Sequence, residues 1–199
     1  MTDNPINASE SRRAEHPVGE IFLDRWSPRA MSGEEMAEGE LMTLFEAARW
    51  APSSYNNQPW RIMYARRGTP HWETFFGLLV EGNRAWAKDA AALVLFASKE
   101  TFDFNGKPYP THSFDTGAAW ENFALQGAMK GLVVHGMQGF DYERARTELG
   151  IPSGFRVEAM AAVGRPGDPA SLPEAMRERE QPSGRKPLRE TVCEGPFSF

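Results

Sequence analysis

Cysteine is almost missing from this chain: Cys193 stands alone among 199 residues. One thiol excludes an intrachain disulfide framework and a four-thiolate metal site, and it points to a reducing compartment. Long apolar runs are missing as well. The longest, residues 90–97, falls far short of the roughly 20 residues that span a bilayer. The first twenty residues include Asn4, Asn7, Ser9, Glu10, Arg12, Arg13 and Glu15 and lack the apolar centre of a secretory signal. Arg12-Arg13 is not followed by an apolar run, so it does not read as a twin-arginine signal, and a soluble cytoplasmic protein is expected. Positive charge is not in excess either. With 22 basic against 27 acidic residues and a net charge of −5, neither nucleic acid nor an anionic membrane is an expected partner. There is no G-x-G-x-x-G, Walker A, G-x-S-x-G or H-E-x-x-H sequence. The four histidines, His16, His71, His112 and His135, are scattered without metal-ligand spacing, so no metal site is expected.

What is present suits one domain. The 41% hydrophobic and 12% aromatic content can bury a sizeable core, with residues 1–20 a flexible N-terminal segment and 21–199 a single domain. Ser32-Gly33-Glu34-Glu35 fits a capping box, and Ala37, Leu41, Leu44, Phe45 and Ala48 recur at helical spacing up to about Trp50. Residues 60–65 read as a strand. Trp72, Phe75, Phe76 and Leu79 form a helical stripe that signifies packing, and residues 91–97 read as a buried strand. A polar excursion over 99–111, carrying Phe102, Phe104 and Tyr109, is a candidate substrate lid. Residues 113–130 read as a helix whose Gly117, Ala118, Ala124, Gly127 and Ala128 permit close approach, ended by Gly131. A strand over 132–135, a short helix capped by Asp141 and a half-buried alternating strand over 155–163 follow. The remainder is a charged, proline-rich tail, with Leu172, Met176, Leu188, Val192 and Phe197 available to lie on another surface.

Two features carry chemistry. The stretch Pro52-Ser53-Ser54-Tyr55-Asn56-Asn57-Gln58-Pro59-Trp60 sets amides and hydroxyls beside prolines that restrict the backbone. It suits a planar ligand with alternating carbonyl and N–H groups along one edge, as flavins and nucleobases have, although the same residues also make ordinary solvated turns. Basic residues gather at Arg25-Trp26-Ser27-Pro28-Arg29 and at Arg185-Lys186. Arginine forks and a serine hydroxyl complement phosphate oxygens, but short basic pairs are also common on solvated segments, and spacing does not say whether these two clusters meet.

From Arg25 to Val192 the chain resembles the FMN-dependent nitroreductase family. Arg25, Ser27 and Arg29 match its opening R-x-S-x-R/K pattern. Pro52, Ser53, Ser54, Asn56, Gln58, Pro59 and Trp60 match P-S-S-x-N-x-Q-P-W, the most specific of the motifs. Asn83 within Gly82-Asn83-Arg84-Ala85-Trp86, the helix opening Asp115-x-Gly117-Ala118, and Met137-Gln138-Gly139-Phe140-Asp141 follow in family order. Leu149-Gly150-Ile151-Pro152 and Arg185-Lys186-Pro187-Leu188 complete the series.

The resemblance implies an α+β fold: a mixed central sheet flanked by helices, with terminal extensions embracing a dimer partner. It implies FMN at the homodimer interface, held at its phosphate by Arg25, Ser27, Arg185 and Lys186. Arg29 and Asn83 would face the pyrimidine edge. Pro52, Ser53, Ser54 and Asn56 would come from the other subunit, and the backbone of Gln138 and Gly139 would lie beside N5. Gln58 and Trp60 rank as loop stabilisers. Several family members carry a lysine where this chain has Trp86, which leaves Arg29 as the charge at that edge. The implied activity passes hydride from NAD(P)H to the flavin and on to a nitroaromatic, quinone or activated alkene, by a ping-pong route over one flavin face. The alternatives are a specialised flavin dehalogenase or dehydrogenase of the same fold, and a non-catalytic flavin sensor.

Overall fold

A computed structural model describes residues 8–199. The expected flexible segment 1–20 therefore lies, for residues 1–7, outside the described residues. Short helices α1 (Ala8–Ser11) and α2 (Glu20–Asp24) precede α3 (Glu38–Arg49). Then come β1 (Trp60–Arg66), α4 (Trp72–Leu78), α5 (Glu81–Ala87), β2 (Ala92–Lys99) and the long α6 (His112–Met129). The chain continues with β3 (Val133–Met137), α7 (Tyr142–Glu148), β4 (Phe155–Gly164) and α8 (Glu174–Arg177) in the tail.

The four strands lie in the order β1-β2-β4-β3. The α+β class and the helix-flanked sheet are as expected; within one chain, however, every pairing is antiparallel rather than mixed. Two apolar layers sandwich the sheet. On one face Leu93, Leu95, Met160 and Val133 pack with Phe75, Leu78 and Trp86 of α4 and α5 and Ala145 of α7. On the other, Val94, Phe96, Ala161 and Val134 pack with Leu41 and Leu44 of α3 and Phe123 of α6. A sheet covered on both faces needs apolar residues at consecutive positions. For that reason the second half of β4 is continuously buried, where alternation was expected.

Local chemistry explains the boundaries. Helix α6 ends in a Schellman arrangement: Gly131 takes φ +67°, Leu132 N–H donates to Gly127 O and Gly131 N–H donates to Ala128 O, both at 2.9 Å. Gly127 also has a steric role, since an added Cβ would lie 2.5 Å from Val134 Cγ2. Asp141 caps α7 as expected, its side chain accepting from Arg144 N–H at 3.0 Å. The capping box at Ser32 does not start α3. Ser32 N–H donates to Arg165 O beside the bridge between Met31 and Pro166, which holds this segment extended, and the helix begins at Glu38 behind Ala37. A β-bulge between β2 and β4 pairs Phe96 with Ala159 and Ala97 with Val157, leaving Glu158 as the extra residue.

Candidate functional site

The sequence-predicted residues fall into three groups. The first is cationic. Arg25, at the C-terminal end of α2, lies 3.3 Å from Ser27 Oγ through Nη1 and 3.8 Å from Glu121 through Nε. Arg12 ties this segment to the tail: its Nη1 donates to the carbonyls of Leu23 and Arg25 at 2.7 and 2.8 Å. Its Nε donates to Ser183 O at 3.0 Å. Arg185 Nη1 donates to Gly184 O at 2.9 Å. Farther along the tail, Leu188 N–H donates to Glu15 at 3.0 Å. The two basic clusters therefore do meet. Burial lowers the Arg12 pKa, followed by repulsion from Arg185 and from Arg25, against which Asp24 acts in the opposite direction. Like charges gathered in this way are suited to an anion. Lys186 is exposed beside this group.

Arg29 is paired with the tail. Its guanidinium lies 3.6 Å from Glu180, a carboxylate 3% exposed that also accepts the backbone N–H groups of Arg29 and Ala30. Its charge is thus partly offset by a residue of the tail that the sequence reading did not single out. Next to it, His135 Nδ1 is 2.9 Å from Pro28 O, and its ring centroid is 4.5 Å from that of Trp86. Burial, above all, lowers the His135 pKa.

The second group is a backbone turn. Asn83, on α5, donates from Nδ2 to Gly139 O at 2.9 Å, and Val80 N–H donates to the same carbonyl at 3.1 Å. Gly139 admits this approach because it lacks a side chain: an added Cβ would lie 2.7 Å from Asn83 Nδ2 and 3.0 Å from Val80 Cγ2. With its carbonyl held, the turn leaves the N–H groups of Gln138 and Gly139 outside the loop and turn hydrogen bonds of the described residues.

The third group is the loop over residues 52–58. Tyr55, Asn56 and Gln58 take φ of 52°, 52° and 49°, a left-handed conformation that costs a non-glycine residue energy unless its surroundings impose it. Here they do. Ser53 Oγ accepts from Gln58 N–H at 3.0 Å, and Gln58 Nε2 donates to Asn56 O at 3.0 Å. Asp115, in the first turn of α6, accepts Ser54 N–H at 2.9 Å together with the Tyr109 hydroxyl. Burial first and then Asp115 push the Tyr109 pKa up to about 12. Pro52, Tyr55 and Asn56 are exposed. The excursion over 99–111 supports the loop: Tyr55 contacts Phe102 and Phe104, Phe102 stacks on Tyr109, and Asn57 Oδ1 accepts Asp103 N–H. Among the described residues, no hydrogen bond or ion pair joins the loop to the other two groups.

A cleft of about 460 Å³ opens beside the turn. It is bounded by Phe96, Met137 and Ala159 of the sheet, by Gln138, and by Thr116 and Trp120 of α6. Gln138 of its wall belongs to a motif visible in the sequence, whereas Glu158 does not and enters through the bulge, whose register only the fold reveals.

The Nitroreductase family model matches residues 23–71 and 69–165, and the chain belongs to the nitroreductase family. It is 44% identical to a solved structure described as an oxidoreductase containing FMN, covering 100% of this chain and 99% of that one with a TM-score of 0.91. An NADH dehydrogenase of Thermus thermophilus is 28% identical, covering 85% of this chain and 92% of its own. A 15.4 kDa protein of Mycolicibacterium smegmatis is 37% identical over 61% of this chain and 81% of its own. No helix among the described residues is long and apolar enough to cross a membrane.

Proposed function

We propose that this chain is an FMN-dependent oxidoreductase that takes hydride from NADH or NADPH and delivers it to a small aromatic or quinone-like acceptor. The balance is NAD(P)H + H⁺ + acceptor giving NAD(P)⁺ + reduced acceptor. The observation that carries this reading is the cationic group of Arg12, Arg25 and Arg185, with Arg25 beside Ser27, assembled from both ends of a family member. It has the chemistry of a phosphate cradle. The fit continues at the Gln138-Gly139 turn, whose N–H groups are outside loop bonding while its carbonyl is occupied. The name of the Thermus relative and the FMN of the 44%-identical neighbour support the same assignment.

FMN, when bound, would supply the N5 atom that accepts and returns hydride. The chain would do the rest. Arg25, Ser27, Arg185 and Lys186 would hold the phosphate, and Gln138 or Gly139 would direct an N–H toward N5. Asn83 would keep that turn in place, and Arg29 would add positive charge near the pyrimidine edge, moderated by Glu180. In a homodimer, the loop carrying exposed Pro52 and Asn56 and half-buried Ser53 and Ser54 would complete the flavin site of the other subunit. Support for two chains comes from the loop itself, which is braced from behind by Asp115, faces outward, and lies apart from the other two groups.

Two measurements test this. An anaerobic titration of the FMN-reconstituted protein with NADH and with NADPH should bleach the flavin absorbance. Removal of charge-assisted hydrogen bonds worth about 1.5–3 kcal/mol each in the double variant Arg25→Ala/Arg185→Ala should weaken FMN binding on the order of 100-fold, allowing for solvent screening at exposed Arg185. Unchanged FMN affinity in that variant would remove the phosphate assignment, and failure of the wild-type protein to bind FMN would remove the function.

A further inference from the structure

We infer that Arg12 is a positioning residue for the cofactor: one guanidinium clasps the C-terminal tail to the segment that carries Arg25 and Ser27, and retention of the phosphate depends on that clasp. Arg12 lies ahead of residues 23–165, the span over which the family model matches. Helix α2 ends with carbonyls that have no partner inside the helix. Arg12 Nη1 takes two carbonyls at that end, Leu23 O at 2.7 Å and Arg25 O at 2.8 Å. Its Nε reaches the other way, to Ser183 O at 3.0 Å. The same Ser183 carbonyl accepts Arg185 Nη1 at 3.3 Å. Arg12 therefore holds the main chain of Arg25 and shares an acceptor with Arg185.

The tail needs such a tie. Glu180 anchors it at the N–H groups of Arg29 and Ala30. Beyond that anchor, Arg185 donates to Ser183 and Gly184, its own neighbours in sequence, and Lys186 is exposed. Such local bonds do not fix where the two cations sit relative to Arg25. The N-terminal segment does. Arg12 holds Ser183 on one side of the pair, and Glu15 holds the other side by accepting Leu188 N–H at 3.0 Å. The two bonds bracket Arg185 and Lys186.

Closing the clasp has an electrostatic cost. Burial, then Arg185 and Arg25, lower the Arg12 pKa, with Asp24 acting against them, so the closed arrangement gathers like charges. A phosphate among them offsets that repulsion with charge-assisted hydrogen bonds. Tail and anion are thereby linked: the anion favours the closed tail, and the closed tail favours the anion by the same factor. This linkage rests on the oxidoreductase reading in taking the anion to be the FMN phosphate; the clasp itself is a property of the two chain ends.

The test compares full-length wild type, Arg12→Ala, Arg185→Ala and the double variant in fluorescence titrations with FMN and with riboflavin, which lacks the phosphate. Arg12→Ala should weaken FMN binding on the order of 10-fold, within the coupling of about 5–150-fold typical of linked sites, and leave riboflavin binding unchanged. In the Arg185→Ala background the same substitution should cost FMN less, because a residue that it positions is gone. Tryptic cleavage after Arg185 should be slowed by FMN in wild type and be faster in Arg12→Ala with or without FMN. Unchanged FMN affinity in Arg12→Ala, equal losses for FMN and riboflavin, or additive effects of the two substitutions would overturn the assignment, equal losses by showing a general loss of structure. A wild-type protein that binds no flavin would instead remove the oxidoreductase reading. Cleavage without FMN would still decide the clasp: faster in Arg12→Ala if the guanidinium holds the tail, equal to wild type if it does not.

Discussion

Replacing Asp115 should loosen the loop over residues 52–58 without touching any residue of that loop. The carboxylate is 5% exposed and accepts from Ser54 N–H and from the Tyr109 hydroxyl. Hydrogen bonds to a charged acceptor contribute about 1.5–3 kcal/mol each, against about 0.5–1.5 kcal/mol for neutral pairs. Asp115→Asn keeps an acceptor oxygen and loses charge, so it should cost about 2 kcal/mol over the two bonds. Asp115→Ala strands a backbone N–H and a buried phenol and should cost about 3–4 kcal/mol. For a chain of this size 1 kcal/mol lowers the melting temperature by about 2–4 °C, so the alanine variant should melt roughly 6–16 °C lower.

The loop should respond more than the rest of the molecule. Three left-handed positions within four residues, Tyr55, Asn56 and Gln58, remain in place only while the anchors outweigh their strain, on the order of 1 kcal/mol each. Amide hydrogen exchange should therefore accelerate at residues 54–58 in Asp115→Asn while the core strand β2 keeps its protection. Double-mutant comparison with Tyr109→Phe should show coupling above about 0.5 kcal/mol, as expected for partners in one network. Additive effects, or an alanine variant within about 0.5 kcal/mol of wild type, would refute the claim that Asp115 holds the loop.

Three further outcomes follow from the same geometry. Gly139→Ala sets a methyl 2.7 Å from Asn83 Nδ2; displacement of that amide from Gly139 O should cost about 1–3 kcal/mol, seen as a lower denaturant midpoint, with weaker FMN binding in a fluorescence titration. Glu180→Ala strands the N–H groups of Arg29 and Ala30 and should cost about 3–5 kcal/mol, with limited proteolysis of the tail beginning earlier than in wild type. His135 has a folded pKa held below its unfolded value, first by burial. Its stability contribution is thus fully present above the unfolded pKa of about 6.5 and is lost as pH falls through the depressed folded value. Thermal melts below pH 6.5 should show this loss in wild type and show it reduced in His135→Gln.

The sequence was most legible where one local rule decided the outcome. The ends of α6 and α7 follow from Gly131 and Asp141, and β2 is recognisable as a buried apolar run. It misled where a long-range contact overrode a local signal. Ser32 has the residues of a capping box, yet its backbone is engaged by Arg165, more than a hundred positions away. In the excursion over 99–111 the aromatics were visible but their partners were not: Phe102 contacts Tyr55 of the loop, and Tyr109 stacks on Phe102 and donates to Asp115 of α6. The basic residues were visible individually; their meeting was not, because it runs through the Arg12 guanidinium and the carbonyls of Leu23, Arg25 and Ser183, groups that every sequence possesses. Glu158 shows the limit most clearly. Strict alternation through β4 would put residues 158 and 159 on opposite faces, and the single extra residue of the bulge brings both to the α6 side. One unpaired position thus converts what would be a solvated charge beside Arg156 into the only carboxylate among the residues lining the cleft.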